Sequence, residues 1–529
     1  MNGTGRGHTV RMNPFRFDEP YQRFELLETE RGTPDAPKQT NDPPDPIPKE
    51  IPQRLSETET LLKKTFCGAE NSDLILRPFR IGNKVEALAA FLNGMADADR
   101  IGRFLLGPAQ KATLDPLALR TPEELQKAVF PLDESKCSDA FDAAVAAITE
   151  GQTAVFLAGE RACLLFDTRG YVSRSVSEPI NETVVLGAHE AFTENLRTNI
   201  TLVRRILRTP RFVASLLPSG GKNGVRLALL YLDGVTNRRL LAEIRKRLAA
   251  VDADAVLSVG MLEQQIEDYP WLPLPQTLKT ERPDRVAASL LNGKAAVLLE
   301  GSPIAIVLPA TLGLLFSSAE DAAARRPVGT LLRAVRAAGA VVSVWMPAYF
   351  LALTEHHAGQ LSGEVLSVVL SSHVMVFLPL PVEMIFLLLV FQLVREAGVR
   401  VPGVVGHAIG IIGGLLLGQA AVAAHLVSTV VLIIVALSGL GNFTIPDYST
   451  QLCVAYYRVA LCVAATFGGF LGIGGMTLLS IALLASAKSF GVPMLAPFAP
   501  AARPVRPFLI RRNPLRRAPD DIANAEGRL

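Results

Sequence analysis

The chain has 529 residues, 49% of them apolar and 19% charged, with a formal net charge of +3. That length allows about three domains, and so small a charge excludes the global basic field of a nucleic-acid binder; no nucleic-acid motif is present either. Cys67, Cys137, Cys163, Cys453 and Cys462 are odd in number and widely spaced. They form neither a disulfide framework nor a CxxC metal pair, and read as small apolar side chains.

No basic-then-apolar cleavable pattern opens the chain, an expectation for a soluble region that precedes the membrane and stays on the cytoplasmic side. Residues 1–55 carry Pro34, Pro37, Pro43, Pro44, Pro46, Pro48 and Pro52 among polar residues and read as a disordered arm. From Asp73 onward, strand-length apolar runs alternate with helical periodicity, which predicts α/β units. The expected fold class is an α/β soluble region of two related subdomains with mixed sheets, at 56–135 and 136–322, followed by an all-α polytopic transmembrane domain at 323–490.

Two passages echo one another. Leu88–Ile101 (LAAFLNGMADADRI) and Leu227–Leu240 (LALLYLDGVTNRRL) each read as a strand, an Asn-Gly or Asp-Gly exit turn and a helix, with Asn237 as a helix N-cap. Gly151–Phe166 and Gly293–Leu308 share a second pattern, with Gly159 and Gly301 at the same offset between two apolar runs, and each fits a β-hairpin. Glu300-Gly301-Ser302-Pro303 punctuates Ala295–Phe316, so that apolar stretch reads as sheet and not as a membrane span. Glu190–Leu207 has helical apolar spacing and reads as a surface or subunit-contact helix, which includes Glu194, Arg197 and Asn199. Arg238–Val251 reads as an amphipathic helix with a solvated basic face.

Five apolar blocks follow at Thr330–Leu353, Gly363–Val394, Val404–Ala424, Leu426–Phe443 and Val459–Ala487. Arg325, Arg326, Arg333 and Arg336 precede the first, Arg395 and Arg400 separate the second and third, and Arg458 precedes the fifth. These are inside positions if each block crosses once. The basic tail at 491–529 should also be cytoplasmic, yet five crossings put it outside. One block must therefore be re-entrant or double, leaving four to six spans: the second, broken by Pro379 and Pro381, is the better suspect, and the glycine-rich fifth is the other.

Polar groups inside these blocks are the functional pointers. Glu383, His373, His407 and Gln419 either face an ion pathway or hydrogen-bond across helix contacts; Asn442, with Pro446 and Asp447, forms a polar break between the fourth and fifth blocks that reads as a loop or as the lining of a vestibule on the ion pathway; and Pro379 and Pro381 are candidates for gating or subunit contact. Gly410, Gly413, Gly414 and Gly418 permit close helix approach in an assembly. No enzyme signature emerges. Gly220-Gly221-Lys222 lacks phosphate-loop spacing, His356 and His357 are adjacent where a helical metal pair needs i, i+4, and no HExxH or GxSxG is present. No cofactor, metal site or catalytic residue is expected.

The chain resembles the A subunits of GerA-type spore germinant receptors, in order from Asp73 to Pro500. The matching residues are Arg77-Pro78-Phe79-Arg80-Ile81-Gly82, Phe192-Thr193-Glu194-Asn195-Leu196-Arg197-Thr198-Asn199, Thr280-Glu281-Arg282-Pro283-Asp284-Arg285-Val286-Ala287, Gly301-Ser302-Pro303, Pro381-Val382-Glu383, Gly418-Gln419-Ala420-Ala421-Val422, Ile445-Pro446-Asp447-Tyr448-Ser449 and Ser489-Phe490-Gly491-Val492-Pro493. The family commonly has Arg-Gly-Pro-Arg-Glu-Gly where this chain has Leu186-Gly187-Ala188-His189-Glu190-Ala191. The resemblance implies a protein of the inner spore membrane, acting with a permease-like B subunit and a lipoprotein C subunit. It further implies a homo-oligomer, such as a pentamer, in membrane lipid that forms a ligand-gated cation channel triggering germination. A non-conducting signalling scaffold, and a paralogous channel that amplifies ion release, are the alternatives.

Overall fold

The computed structural model describes residues 47–496 apart from 83–84, 113–121, 133–134, 171–178, 180–181, 183, 185–186, 219–224, 252–255 and 401–417. Residues 1–46 of the proline-rich arm, His407, Gly410, Gly413, Gly414, Gly220-Gly221-Lys222 and the tail beyond 496 lie outside the described residues.

Two five-stranded sheets are built on one plan. The first runs β1-β2-β4-β5-β3, from β1 (Leu74–Ile81), β2 (Val85–Leu92), β3 (Ser135–Ser138), β4 (Thr153–Leu157) and β5 (Cys163–Phe166). The second runs β6-β7-β9-β10-β8, from β6 (Phe212–Pro218), β7 (Arg226–Leu232), β8 (Leu278–Thr280), β9 (Ala295–Leu299) and β10 (Ala305–Leu308). The internal echoes fall on equivalent strands, β2 with β7 and the β4–β5 hairpin with β9–β10.

Two expectations are corrected here. Every strand pair is antiparallel rather than mixed. β3 and β4 do point the same way across a helical crossover, but β5 folds back between them and is antiparallel to both. The first subdomain also extends through Phe166, well past 135, because each sheet needs its own copy of the second echo. At its start, residues from 47 onward belong to it: Ile51 is buried in its core, and Lys49 O accepts from Phe141 N.

Helices cover both faces of each sheet, so the central strands are continuously apolar. Along β7 the period of two is visible, with Ala228, Leu230 and Leu232 packing on one face and Leu227, Leu229 and Tyr231 on the other. α1 (Leu55–Thr65), α2 (Pro122–Val129) and α3 (Phe141–Thr149) cover the first sheet. α4 (Leu196–Ile206) and α7 (Pro283–Leu291) lie on one face of the second, and α5 (Arg238–Ala249), capped by Asn237 as expected, lies with α6 (Val259–Ile266) on the other.

The subdomains are joined through a buried ion pair. Ser72 N donates to Ala214 O of β6 at 3.0 Å, and Arg204 of α4, 1% exposed, binds Asp73 Oδ2 at 3.1 Å while stacking on the Phe212 ring. Arg197 reaches Asp73 Oδ1 at 3.3 Å. α4 is therefore a junction helix buried within the chain, and not the surface helix its polar face suggests.

The C-terminal third is a helical bundle of α8 (Arg326–His356), α9 (Gly363–His373), α10 (Leu380–Arg400), α11 (Thr429–Phe443) and α12 (Tyr448–Ser486). Within it, Pro327–His356 and Tyr448–Ser486 are long and apolar enough to cross a membrane. Its near end, against the second subdomain, is marked by Arg336, which binds Asp321 and accepts from Thr444 Oγ1 through its carbonyl. Its far end is marked by His356, whose Nε2 lies 2.9 Å from Thr466 O.

Both suspected blocks are broken. Pro379 and Pro381 separate α9, which stays at the far end, from α10, which returns to the near end, where Arg395 meets Tyr448. α12 doubles back at Gly469 (φ +54°), so Tyr457 Oη lies 2.7 Å from Ser480 Oγ on the opposite arm. The reversal needs glycine there twice over, since φ is positive and a Cβ would sit 3.1 Å from His356 Cγ. The chain is at the near end at Arg395 and at the far end at Ser428, and after the second arm of α12 it leaves the bundle on the side where it entered, against the second subdomain.

Replacing Asp73 with Ala leaves Arg204 buried and unpaired and is expected to cost about 3–5 kcal/mol, read as a fall in the thermal unfolding midpoint of the detergent-purified chain. A midpoint equal to wild type would show that the pair does not join the subdomains.

Candidate functional site

At the far end, Glu383 occupies the first turn of α10, with its backbone N–H bonded to Pro379 O at 2.9 Å. Its carboxylate is fully buried. Oε1 accepts from Ser428 N at 2.5 Å and from Ser428 Oγ at 2.8 Å, and Ser428 is in turn the N-cap of α11. One carboxyl group thus lies at the N-terminal ends of two helices, where exposed N–H groups favour an acceptor. Oε2 is 3.3 Å from His373 Nδ1, although their geometry makes no hydrogen bond.

The predicted pathway residues are only partly brought together. Glu383 and His373 meet, Gln419 is exposed beyond them, and Asn442 lies at the opposite end of α11. Asn442 is buried. With its amide turned to satisfy both neighbours, it accepts from Arg395 Nη1 at 2.9 Å and donates to Gln451 O at 3.3 Å. Pro379 is exposed and Pro381 half-buried, at the α9–α10 break. Glu194 is exposed, and its carbonyl accepts from Gly301 N at 2.9 Å; Asn199 is fully buried and holds Thr193 through both backbone groups. With Arg197 on Asp73, all three residues serve contacts within this chain.

Sequence reading missed two features. Ser428, the partner of Glu383, carries no signal beyond being an N-cap residue before an apolar run. Arg458 was taken as a flank of the fifth block, but it lies ten residues inside α12, 1% exposed, with Nη1 donating to Ser438 Oγ at 2.8 Å. A charge inside an apolar run was read as a boundary when the helix continues through it.

The third element is a clasp. After α12, β11 (Lys488–Ser489) and β12 (Val492–Pro493) return into the second subdomain. Ser489 Oγ donates to Gln276 O at 2.5 Å and accepts from Ala310 N at 3.0 Å, while Phe490 N donates to Asp268 Oδ2 at 2.6 Å. The Phe490 ring is fully buried under the Arg247 guanidinium, which also binds Asp268 Oδ1 at 2.7 Å. Residues 491–496 are accordingly part of the folded subdomain and not of the expected free tail. Burial, with Arg247 opposing it, raises Asp268, and burial together with the neighbouring Glu263 carboxylate pushes Glu267 up to about 8.

Two α/β subdomains clasped to an apolar helical bundle, with two helices long and apolar enough to cross a membrane, define the class of protein by its architecture. The sequence model described as "Bacillus/Clostridium GerA spore germination protein" matches residues 60–518, and the chain belongs to the GerA family. It is 32% identical over 433 residues to "Spore germination protein KA" of Bacillus subtilis (strain 168), covering 81% of this chain and 79% of that one. It is 31% identical to "Uncharacterized membrane protein YfkQ" of the same organism, covering 84% and 86% respectively. The solved N-terminal domain of the A subunit of the Bacillus megaterium spore germinant receptor GerK3 is similar at 29% identity and a TM-score of 0.40, covering 51% of this chain and 99% of that one.

Because folded Glu267 holds its proton more tightly than the unfolded chain does, the stability it contributes is full below the ordinary carboxylate range and falls as pH rises towards 8. Glu267→Gln is expected to flatten that part of the stability–pH profile, and a profile with the wild-type slope would contradict the assignment. At the far end, Glu383→Gln keeps an acceptor for Ser428 and is expected to change the unfolding midpoint little. Glu383→Ala strands a buried N–H and costs about 1–3 kcal/mol; equal effects of the two substitutions would argue against the capping role.

Proposed function

We propose that this chain is the A-type subunit of a spore germinant receptor and that it crosses the inner spore membrane several times, with both its α/β region and its C-terminus on the cytoplasmic side. The observation that carries the topology is the distribution of charge in the bundle. Arg326, Arg333, Arg336, Arg395 and Arg400 lie towards the near end and Lys488 follows it, whereas Glu355, Glu364 and Glu383 lie at the far end. Basic residues mark the cytoplasmic side of membrane proteins. The bundle also exposes Phe377 at 87%, Phe467 at 84% and Leu471 at 89%, an apolar surface suited to lipid and to other subunits.

In this reading several copies assemble around a cation path, with permease-like and lipoprotein subunits as partners that supply nutrient recognition. The path runs between subunits, because the interior of each bundle is packed and carries Arg395 and Arg458. Glu383 sets how α10 and α11 meet at the far end, so it governs opening. The α/β region, fixed to the bundle by Asp321 and by the clasp, transmits rearrangement between subunits. No catalytic step is assigned to the chain.

A non-conducting scaffold is the second reading, and one observation favours it: Glu383 and Asn442 are both committed to internal hydrogen bonds. Reconstitution of the purified chain in sealed vesicles separates the two. The channel reading expects potassium efflux that Glu383→Gln alters at equal protein level; vesicles that stay tight with wild-type protein, alone and with its partner subunits, would support the scaffold.

A further inference from the structure

Two guanidinium groups are enclosed by the near half of the bundle without an anion. Arg458 of α12 donates through Nη1 to Ser438 Oγ, itself bonded to Ser343 O at 2.8 Å, so α8, α11 and α12 close around it. Arg395 of α10 donates through Nη1 to Asn442 Oδ1 at 2.9 Å and lies over the Tyr448 ring at 5.8 Å. Ser438 and Asn442 are one turn apart on α11, so both guanidinium groups are held on the same face of that helix. Arg458 Nε and Arg395 Nη2 are buried with no acceptor.

The bundle's carboxylates are elsewhere. Glu355, Glu364 and Glu383 are at the far end, and Asp447 caps α12 through Thr450 N and Oγ1 at 2.7 and 2.6 Å. Glu396 follows Arg395 on α10 and is turned about 100° away around the helix. Among the described residues, no carboxylate is bonded to either guanidinium. Side chains on a helix lean towards its N-terminus, which for the first arm of α12 is the near end, so the Arg458 head group points back towards Arg395 and the bundle mouth.

We propose that Arg395 and Arg458 form a site for one phosphate-class oxyanion, entered from the near end. Buried cations without counter-charge are disfavoured, and a planar guanidinium matches the paired oxygens of a phosphate. A carboxylate on a neighbouring subunit fits less well, because Arg458 is 1% exposed and walled in by this chain's own helices. Of the two guanidinium groups, half-buried Arg395 is the one an incoming anion would meet first. Its phosphate comes either from free inorganic phosphate or from the headgroup of an anionic lipid, both of which meet the near end. The site depends on the bundle's geometry alone and stands whether or not the chain conducts ions.

The test uses the full chain in a maltoside detergent and chloride buffer, with inorganic phosphate added in one arm and phosphatidylglycerol in the other, read by the unfolding midpoint and by native mass spectrometry. The wild-type midpoint is expected to rise in at least one arm, with one bound phosphate or lipid retained. A response to phosphate alone assigns a free anion, and a response to the lipid assigns a headgroup. R395Q and R458Q are each expected to weaken binding about tenfold or more, one lost charged contact being roughly that factor. R458K, which keeps the charge, retains a weakened response and guards against loss by misfolding. If neither addition moves the wild-type midpoint, or if the rise survives in the R395Q/R458Q double variant, the site does not exist.

Discussion

The helical bundle is tied to one α/β subdomain both where the chain enters it and where the chain leaves it, and the architecture follows from that tether. At the start of α8, Asp321 holds Arg333 and Arg336 at 3.1 and 2.9 Å. After α12, Ser489 and Phe490 are bound into the same subdomain by Gln276, Ala310 and Asp268. A chain that enters and leaves on one side must traverse an even number of times. The glycine reversal within α12 is the local means by which the chain returns to the side it entered.

Polar chemistry is divided between the ends. The far end holds a carboxylate that accepts from the N-cap residue of α11 and lies beside a histidine. The near half holds two guanidinium groups, one bonded to a hydroxyl and the other to an amide and lying over an aromatic ring. Each of these buried polar groups is costly unless satisfied within the bundle, so their positions constrain how α10, α11 and α12 pack. The soluble region uses the same device, since the Asp73–Arg204 pair fixes one subdomain on the other and the Asp268–Arg247 pair fixes the clasp.

Much of this was legible in the sequence. The duplicated strand–turn–helix and hairpin patterns predicted two related subdomains, since turn glycines and strand periodicity are local. The two blocks suspected of being re-entrant or double from their prolines and glycines are the ones interrupted, before α10 and at Gly469. Sheet composition was misread, because β5 intrudes between two co-oriented strands by a long-range choice that no local pattern records. Glu383 was visible as a charge among apolar residues, but Ser428 was not, since an N-cap serine looks alike whatever it faces. Arg458 was hidden by the rule that places charges at span boundaries. The clasp was present only as a motif of the family resemblance, because its partners are over 170 residues away in the chain.

The most direct test of the account is side-specific labelling of single cysteines in sealed vesicles, with the native cysteines replaced. Leu257→Cys in the second subdomain and Phe377→Cys at the far end start from residues 76% and 87% exposed. The account predicts that a membrane-impermeant maleimide labels them from opposite sides, with Leu257→Cys on the cytoplasmic face. Labelling of both from the same face, or recovery of the full-length chain in water without detergent, would contradict it.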